Sequence, residues 1–151
     1  MTHLKAGDKA PNFSALDQDG NEITLSDYKG KKLVVFFYPK ASTPGCTAEA
    51  CNLNDNYDRF KAQGYEILGV SADSAKRQAN FKTKYGFQYP LLADEDKSVI
   101  EAFGVWGPKK FMGKEYDGIH RTTFIIDENG VLEDVIIKVK TKAHTDQILT
   151  E

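Results

Sequence analysis

The stretch Tyr38-Pro39-Lys40-Ala41-Ser42-Thr43-Pro44-Gly45-Cys46-Thr47-Ala48-Glu49-Ala50-Cys51 decides how the rest of the chain is read. It follows the most apolar run in the protein, Leu33-Val34-Val35-Phe36-Phe37, and it contains both cysteines, five residues apart. An unbroken apolar run of this length predicts a central strand covered on both faces. The strand delivers a loop, and the loop opens a helix with Thr43 as N-cap, Pro44 at N1, Gly45 at N2 and Cys46 at N3. Free N–H groups and a partial positive charge gather at such a helix start, and a thiolate placed there is stabilised.

Working outward, Phe13 to Leu16 and Glu22 to Leu25 predict short strands around the turn Asp17-Gln18-Asp19-Gly20-Asn21. The residues before them form an extended arm, and Ser26 to Gly30 form one helical turn. The helix from Thr43 is expected to run to about Gln63, closed by Gly64, with Ala50, Leu53, Tyr57 and Phe60 as its core face. Tyr65 to Ala72 is the next buried strand, and Asp73 or Ser74 caps a helix running to about Tyr85, closed by Gly86. Leu91-Leu92 is a short strand, and Asp94 to Phe103 a short helix closed by Gly104. Val105 to His120 shows no sustained period and is expected to be a loop, with Trp106, Phe111 and Met112 read as packing residues. Arg121 to Asp127 and Val131 to Val139 flank the hairpin turn Glu128-Asn129-Gly130, and Lys142 to Leu149 is a terminal helix. This order predicts an α/β fold of one domain, a mixed sheet with helices on both faces.

A chain of 151 residues can bury ~70% of its unfolded surface and needs no disulfide to fold. The net charge of −2 is no basic footprint for nucleic acid, and no apolar run approaches the ~20 residues of a membrane span. The N-terminus lacks the apolar segment of a signal peptide, so a cytoplasmic location is expected. Two cysteines in a reducing compartment are poor candidates for a structural staple, and His3, His120 and His144 show no ligand spacing to them. Neither a metal nor another cofactor is expected, and His120 and His144 are read as structural or surface residues.

Pro39-x-x-x-Thr43-x-x-Cys46 resembles the active-site signature of the peroxiredoxins, and Phe37 to Lys40, Thr43 to Thr47 and Glu49 to Cys51 resemble their bacterioferritin comigratory protein (PrxQ) branch. The resemblance extends to Gly7-Asp8-x-Ala10-Pro11-x-Phe13, to Gly113-Lys114 and Gly118-Ile119, and to Arg121 through Asp127. Ala41-Ser42 departs from it, because acidic or other polar residues are more usual there. The resemblance implies a thioredoxin-like fold with an N-terminal hairpin extension, and a thiol-dependent peroxidase acting on hydrogen peroxide and organic hydroperoxides.

On that resemblance Cys46 attacks the peroxide, Arg121 holds the thiolate and the peroxide oxygens, and Glu49 positions Arg121. Thr43 offers its hydroxyl to the peroxide, the N–H of Cys46 adds a donor, and Pro39 shields the thiolate from water. An ordinary thiol near pKa ~8.5 is only ~3% ionised at pH 7, so ionisation supplies about thirtyfold and orientation must supply the rest. Cys51 is the candidate resolving residue, in the same chain, and thioredoxin the implied reductant of a monomeric enzyme. Residues five apart in a regular helix have Cα atoms ~8.6 Å apart, beyond the ~7 Å reach of a disulfide, so pairing requires the helix start to unwind. Three alternatives stay open: a general thiol–disulfide oxidoreductase, whose Cys-x-x-Cys spacing is absent, a non-catalytic redox sensor, and a glutathione-peroxidase-like enzyme, whose tryptophan signature is missing.

Overall fold

The computed structural model describes residues 2–149. Nine strands and five helices follow in the order β1 (Ser14–Leu16), β2 (Glu22–Thr24), β3 (Lys32–Phe37), α1 (Pro44–Asp55), α2 (Tyr57–Ala62), β4 (Tyr65–Ser71) and α3 (Ala75–Tyr85). Then come β5 (Leu91–Ala93), α4 (Ser98–Ala102), β6 (Trp106–Phe111), β7 (Lys114–Ile119), β8 (Thr122–Ile126), β9 (Leu132–Ile136) and α5 (His144–Ile148). A 3₁₀ turn at Leu25–Tyr28 joins β2 to β3.

The main sheet has the strand order β5-β4-β3-β8-β9, with β3 parallel to β4 and antiparallel to β8. As its composition predicts, β3 is central and buried throughout from Leu33 to Phe37. Its side chains alternate between two cores. Leu33, Val35 and Phe37 join Phe13, Val99, Ile100 and Phe103 on one face. Val34, Phe36 and Tyr38 join Ala50, Leu53, Phe60 and Phe81 on the other. The expected mixed sheet with helices on both faces is therefore observed, and β1 and β2 form the N-terminal hairpin. The N-terminal arm runs beside the turn before β9, where Gly7 N–H donates to Leu132 O and Ala10 N–H to Gly130 O.

Two expectations are corrected. The helix expected from Thr43 to Gln63 is broken at Asn56, where φ is −107°. The Asn56 side-chain amide donates to the Asn52 carbonyl at 2.8 Å, taking the acceptor that its own backbone N–H would use in a continuous helix. The expected core face survives the break for Ala50, Leu53 and Phe60, whereas Tyr57 is only partly buried. The second correction is Val105 to His120, which forms the β6–β7 hairpin instead of a loop. Its two-residue turn is Met112-Gly113, both at positive φ, and only its base, at Trp106 and Ile119, meets the core, while Lys114 to Asp117 are exposed. Trp106 packs against the core, but Met112 is 87% exposed at the hairpin tip, so its reading as a packing residue fails. The Phe111 side chain lies outside the described residues.

Candidate active site

Past Phe37 the chain leaves the sheet. Tyr38 N–H still reaches Val70 O, and Pro39, which has no N–H, ends the pairing. The loop is then held by Asp73, just beyond β4, whose Oδ2 accepts from Ala41 N–H at 2.8 Å and from the Ser71 hydroxyl at 2.7 Å. Ser42 takes φ +66°, a left-handed conformation that costs a non-glycine residue roughly 1–2 kcal/mol. The loop thus accepts local strain to aim the start of α1.

Thr43 is the N-cap by backbone geometry and Pro44 the first helical residue, as the sequence predicts. The Thr43 side chain, however, makes no cap hydrogen bond. Its hydroxyl donates instead to Lys40 O at 2.7 Å, so Thr43 caps the helix by its backbone conformation and not by its side chain. With its one proton committed to a carbonyl, the hydroxyl has only lone pairs left for any further hydrogen bond. The vacated cap also leaves N–H groups of the first turn free.

Cys46 follows in that turn, 1% exposed, with its side chain against the second core. Arg121 lies between β7 and β8 and reaches across to it. One guanidinium nitrogen, Nη2, is 3.4 Å from Cys46 Sγ, and the other, Nη1, is 2.7 Å from Glu49 Oε1. The planar fork of arginine suits this two-point grip. Burial opposes the Arg121 charge, yet Cys46 and Glu49 together raise its pKa. Glu49 is completely buried, and burial pushes its carboxyl up to about 7 against the lowering pull of Arg121.

Cys51 lies on the same helix, partly buried, and both cysteines are free. Burial, and then Asp55 beside it, raise the Cys51 pKa. Pro39 is half-buried at the start of the loop. The structure thus joins Cys46, Arg121 and Glu49 by direct contact, with Thr43 and Pro39 on the adjoining loop.

Four residues were not foreseen. His144 from α5 is fully buried with Nε2 3.5 Å from Glu49 Oε2, which excludes the surface half of its reading as a structural or surface residue. Thr123 Oγ1 lies 2.7 Å from the same nitrogen. Lys109 of β6 donates to Ile119 O at 2.9 Å, two residues before Arg121. Gly45 runs so close to Arg121 that an added Cβ would stand 3.2 Å from Nη2. The only advance signal was Thr122-Thr123 within an otherwise apolar strand, where a buried polar residue requires a partner.

The AhpC/TSA family profile matches residues 6–135. Peroxiredoxin Bcp of Escherichia coli K12 is 51% identical over 149 residues, covering 99% of this chain and 96% of that protein. The chain belongs to the AhpC/TSA family, in its Bcp/PrxQ peroxiredoxin branch. Peroxiredoxin Q of Xanthomonas campestris matches with TM-score 0.86 and 40% identity, over 91% of this chain and 87% of that one. A Cys-to-Ser mutant of Xylella fastidiosa PrxQ matches with TM-score 0.92 and 32% identity, over 99% and 96%. These confirm the thioredoxin-like peroxiredoxin fold. A further X. campestris structure, of the bacterioferritin comigratory protein with 39% identity and TM-score 0.86 over 91% and 88%, was solved for its alkyl peroxide reduction activity. Membership of this branch makes the chain a thiol peroxidase, with a peroxide as substrate and a thiol as reductant. Among the described residues no helix is long and apolar enough to cross a membrane.

Gly45 yields a test with two opposite signs. Gly45→Ala should stabilise α1 by up to about 1 kcal/mol through helix propensity. It should also push Arg121 off the sulfur and slow the reaction with hydrogen peroxide about tenfold, since small misplacements at a reacting centre are costly. Thermal melts and single-turnover kinetics on one preparation would measure both; an undisturbed rate would show that Arg121 tolerates the shift.

Proposed function

We propose that this chain reduces hydrogen peroxide and organic hydroperoxides at Cys46, resolves the product with Cys51 in the same chain, and is recycled by a dithiol protein such as thioredoxin. The observation that carries this reading is the Arg121 fork, shared between the buried Cys46 sulfur and the buried Glu49 carboxylate. The Cys46 thiolate attacks one peroxide oxygen, the O–O bond breaks, and the departing alkoxide or hydroxide takes up a proton. Arg121 and the free N–H groups of the first turn stabilise the charge leaving on that oxygen. Thr43 accepts the hydrogen of the incoming hydroperoxide and so orients it, while Pro39 keeps water from the thiolate.

Cys46 is left as a sulfenic acid; the Cys51 sulfur attacks it, the S–O bond breaks, and the hydroxyl takes up the proton given by the Cys51 thiol and leaves as water, forming the disulfide. Both residues lie on α1, so this step requires the helix to unwind from its Pro44 end. Cys46 then leaves the core, and Tyr89, whose hydroxyl donates to Ala50 O at 2.8 Å, loses a regular helix to hold. A dithiol then reduces the disulfide by exchange. An intrachain resolving cysteine needs no second subunit, so the protein acts as a single-domain monomer, in the cytoplasm where thioredoxin is available. No metal, nucleic acid or membrane enters this cycle.

The test is peroxide-dependent NADPH oxidation with thioredoxin and its reductase, comparing the native protein with Cys51→Ser. Turnover is expected to fall by roughly tenfold or more in the variant. Peptide mapping of peroxide-treated native protein should find Cys46 joined to Cys51 within one chain. Undiminished turnover in the variant, or cysteines left unpaired after oxidation, would move resolution to an external thiol.

A further inference from the structure

We infer that Glu49 and His144 form a buried proton-holding pair that sets how much of Arg121 is left to the Cys46 sulfur, which makes His144 a positioning residue of the peroxidase. The inference rests on the proposed role of Cys46 and Arg121, and it begins with the tautomer of His144.

The Gln147 amide is oriented by two contacts outside the ring: its Nε2 donates to Lys138 O at 2.8 Å, and its Oε1 accepts from Lys140 N–H at 2.9 Å. That same Oε1 is 2.7 Å from His144 Nδ1, so Nδ1 carries a hydrogen. The neutral ring then presents Nε2 as an acceptor, and the Thr123 hydroxyl at 2.7 Å supplies its donor. Across 3.5 Å from this nitrogen stands Glu49 Oε2, fully buried and with no well-formed hydrogen bond among the described residues, although the Thr123 hydroxyl is near enough to exert a lowering pull on the Glu49 carboxyl too.

Two acceptors facing each other inside a protein are mismatched, and one added proton repairs the mismatch. On Nε2 it gives an imidazolium against a carboxylate; on Oε2 it gives a carboxylic acid against a neutral ring. Either way the pair as a whole is one charge more positive. Burial raises the Glu49 carboxyl to about 7 and lowers the His144 imidazole below its ordinary value, so inside the protein the carboxyl becomes the more basic of the two.

The groups facing the pair are few. From α1 come Glu49 itself and Cys46, one turn earlier; from the start of β8 come Arg121 and Thr123; from the segment before β5 comes the Tyr89 phenol, which is tied to Ala50 O. Among the described residues Arg121 is the one permanent cation in direct contact with Glu49. When the pair is without its proton, a full carboxylate competes with the sulfur for that guanidinium. When the proton is present the competition weakens, and Arg121 is free to serve the sulfur and the departing oxygen. By linkage, negative charge on the sulfur must in turn hold the proton more tightly on the pair.

The kinetic test is the rate of Cys46 oxidation by hydrogen peroxide in single turnover from pH 5 to 9, for the native protein and His144→Gln. Glutamine offers Oε2 an N–H that does not titrate and that favours the ionised carboxylate, so Glu49 gives up its proton at lower pH than in the native protein. The variant is expected to be about tenfold slower at pH 6 and within about twofold of native at pH 8.5. A slowing by one constant factor at every pH would mean a merely structural role and overturn the inference.

A second measurement needs no histidine variant and no turnover. Carboxyl ¹³C and imidazole ¹⁵N NMR would follow Glu49 and His144 in native and Cys46→Ser protein. The shared titration is expected near neutrality and should move down by about half a pH unit or more when the sulfur is removed. Identical titrations in the two proteins would overturn the coupling. Native protein that does not react with peroxide would instead overturn the peroxidase reading, while the NMR titration would still judge the pair.

Discussion

Cys46→Ser is expected to abolish peroxide reduction, with a loss of more than about 10³-fold in the rate of peroxide consumption. The size follows from the nucleophile. A serine hydroxyl does not ionise near neutral pH and cannot be oxidised to a stable analogue of a sulfenic acid, so neither half of the cycle has a starting point. The fold should survive, because the two side chains differ by one atom and Arg121 Nη2 remains within reach to donate to the new oxygen. A native-like melting curve with no peroxide consumption is the expected pair of results. Retained consumption in this variant would place the chemistry elsewhere and undo the reading of the Thr43–Cys46 helix start.

Arg121→Ala is expected to lower the rate of peroxide reaction by about 10²–10³-fold, the usual scale for removing a charged group from a reacting centre. Arg121→Lys should recover little of it, since one ammonium cannot span the sulfur and the Glu49 oxygen as the two ends of a guanidinium do. The alanine variant also carries a stability signature. Arg121 is the partner that lowers the Glu49 pKa against burial, so without it the carboxyl rises further above its unfolded value. A carboxyl raised in the folded state binds its proton more tightly there than in the unfolded chain. Its contribution is therefore most favourable at low pH and is lost as pH rises through the folded value. The melting temperature of Arg121→Ala should fall short of native by more at pH 8 than at pH 5. An equal deficit at both would show that the buried carboxylate had found another partner.

Where local chemistry and global packing agree, the sequence is transparent. The run Leu33 to Phe37 could only be a covered strand, and Thr43-Pro44-Gly45 could hardly be anything but a helix start. Ser74 and Gly86 mark both ends of α3 where expected, with Ser74 accepting from Arg77 N–H and Gly86 at φ +69°. The grip of Arg121 on Cys46 was reached only through family resemblance, because 75 residues separate the two and no periodicity links them.

The misreadings have physical causes. Asn56 breaks the helix with a side-chain hydrogen bond that apolar spacing does not register. The β6–β7 hairpin has no buried face over much of its length, and Met112 takes a left-handed turn position usually marked by Asn or Gly. His144 sits on a five-residue helix whose burial depends on α1 lying beside it, a tertiary fact.

The Asn52 anchor has a consequence for wear. Its side chain accepts from Thr145 N–H at 2.8 Å and donates to Lys142 O at 3.1 Å, so α1 is moored to the C-terminal segment one residue after Cys51. If Cys51 resolves the sulfenic acid as proposed, the unwinding that starts at Pro44 stops at the mooring, with Leu53 and Phe60 still under cover. An enzyme that dismantles part of itself at every turnover risks aggregating a little each time. On the proposed cycle the dismantled part is short, made of small or polar side chains and bounded by a fixed post, so what is uncovered is limited to the patch beneath Cys46 and Ala50 while the larger side chains beyond stay sheltered.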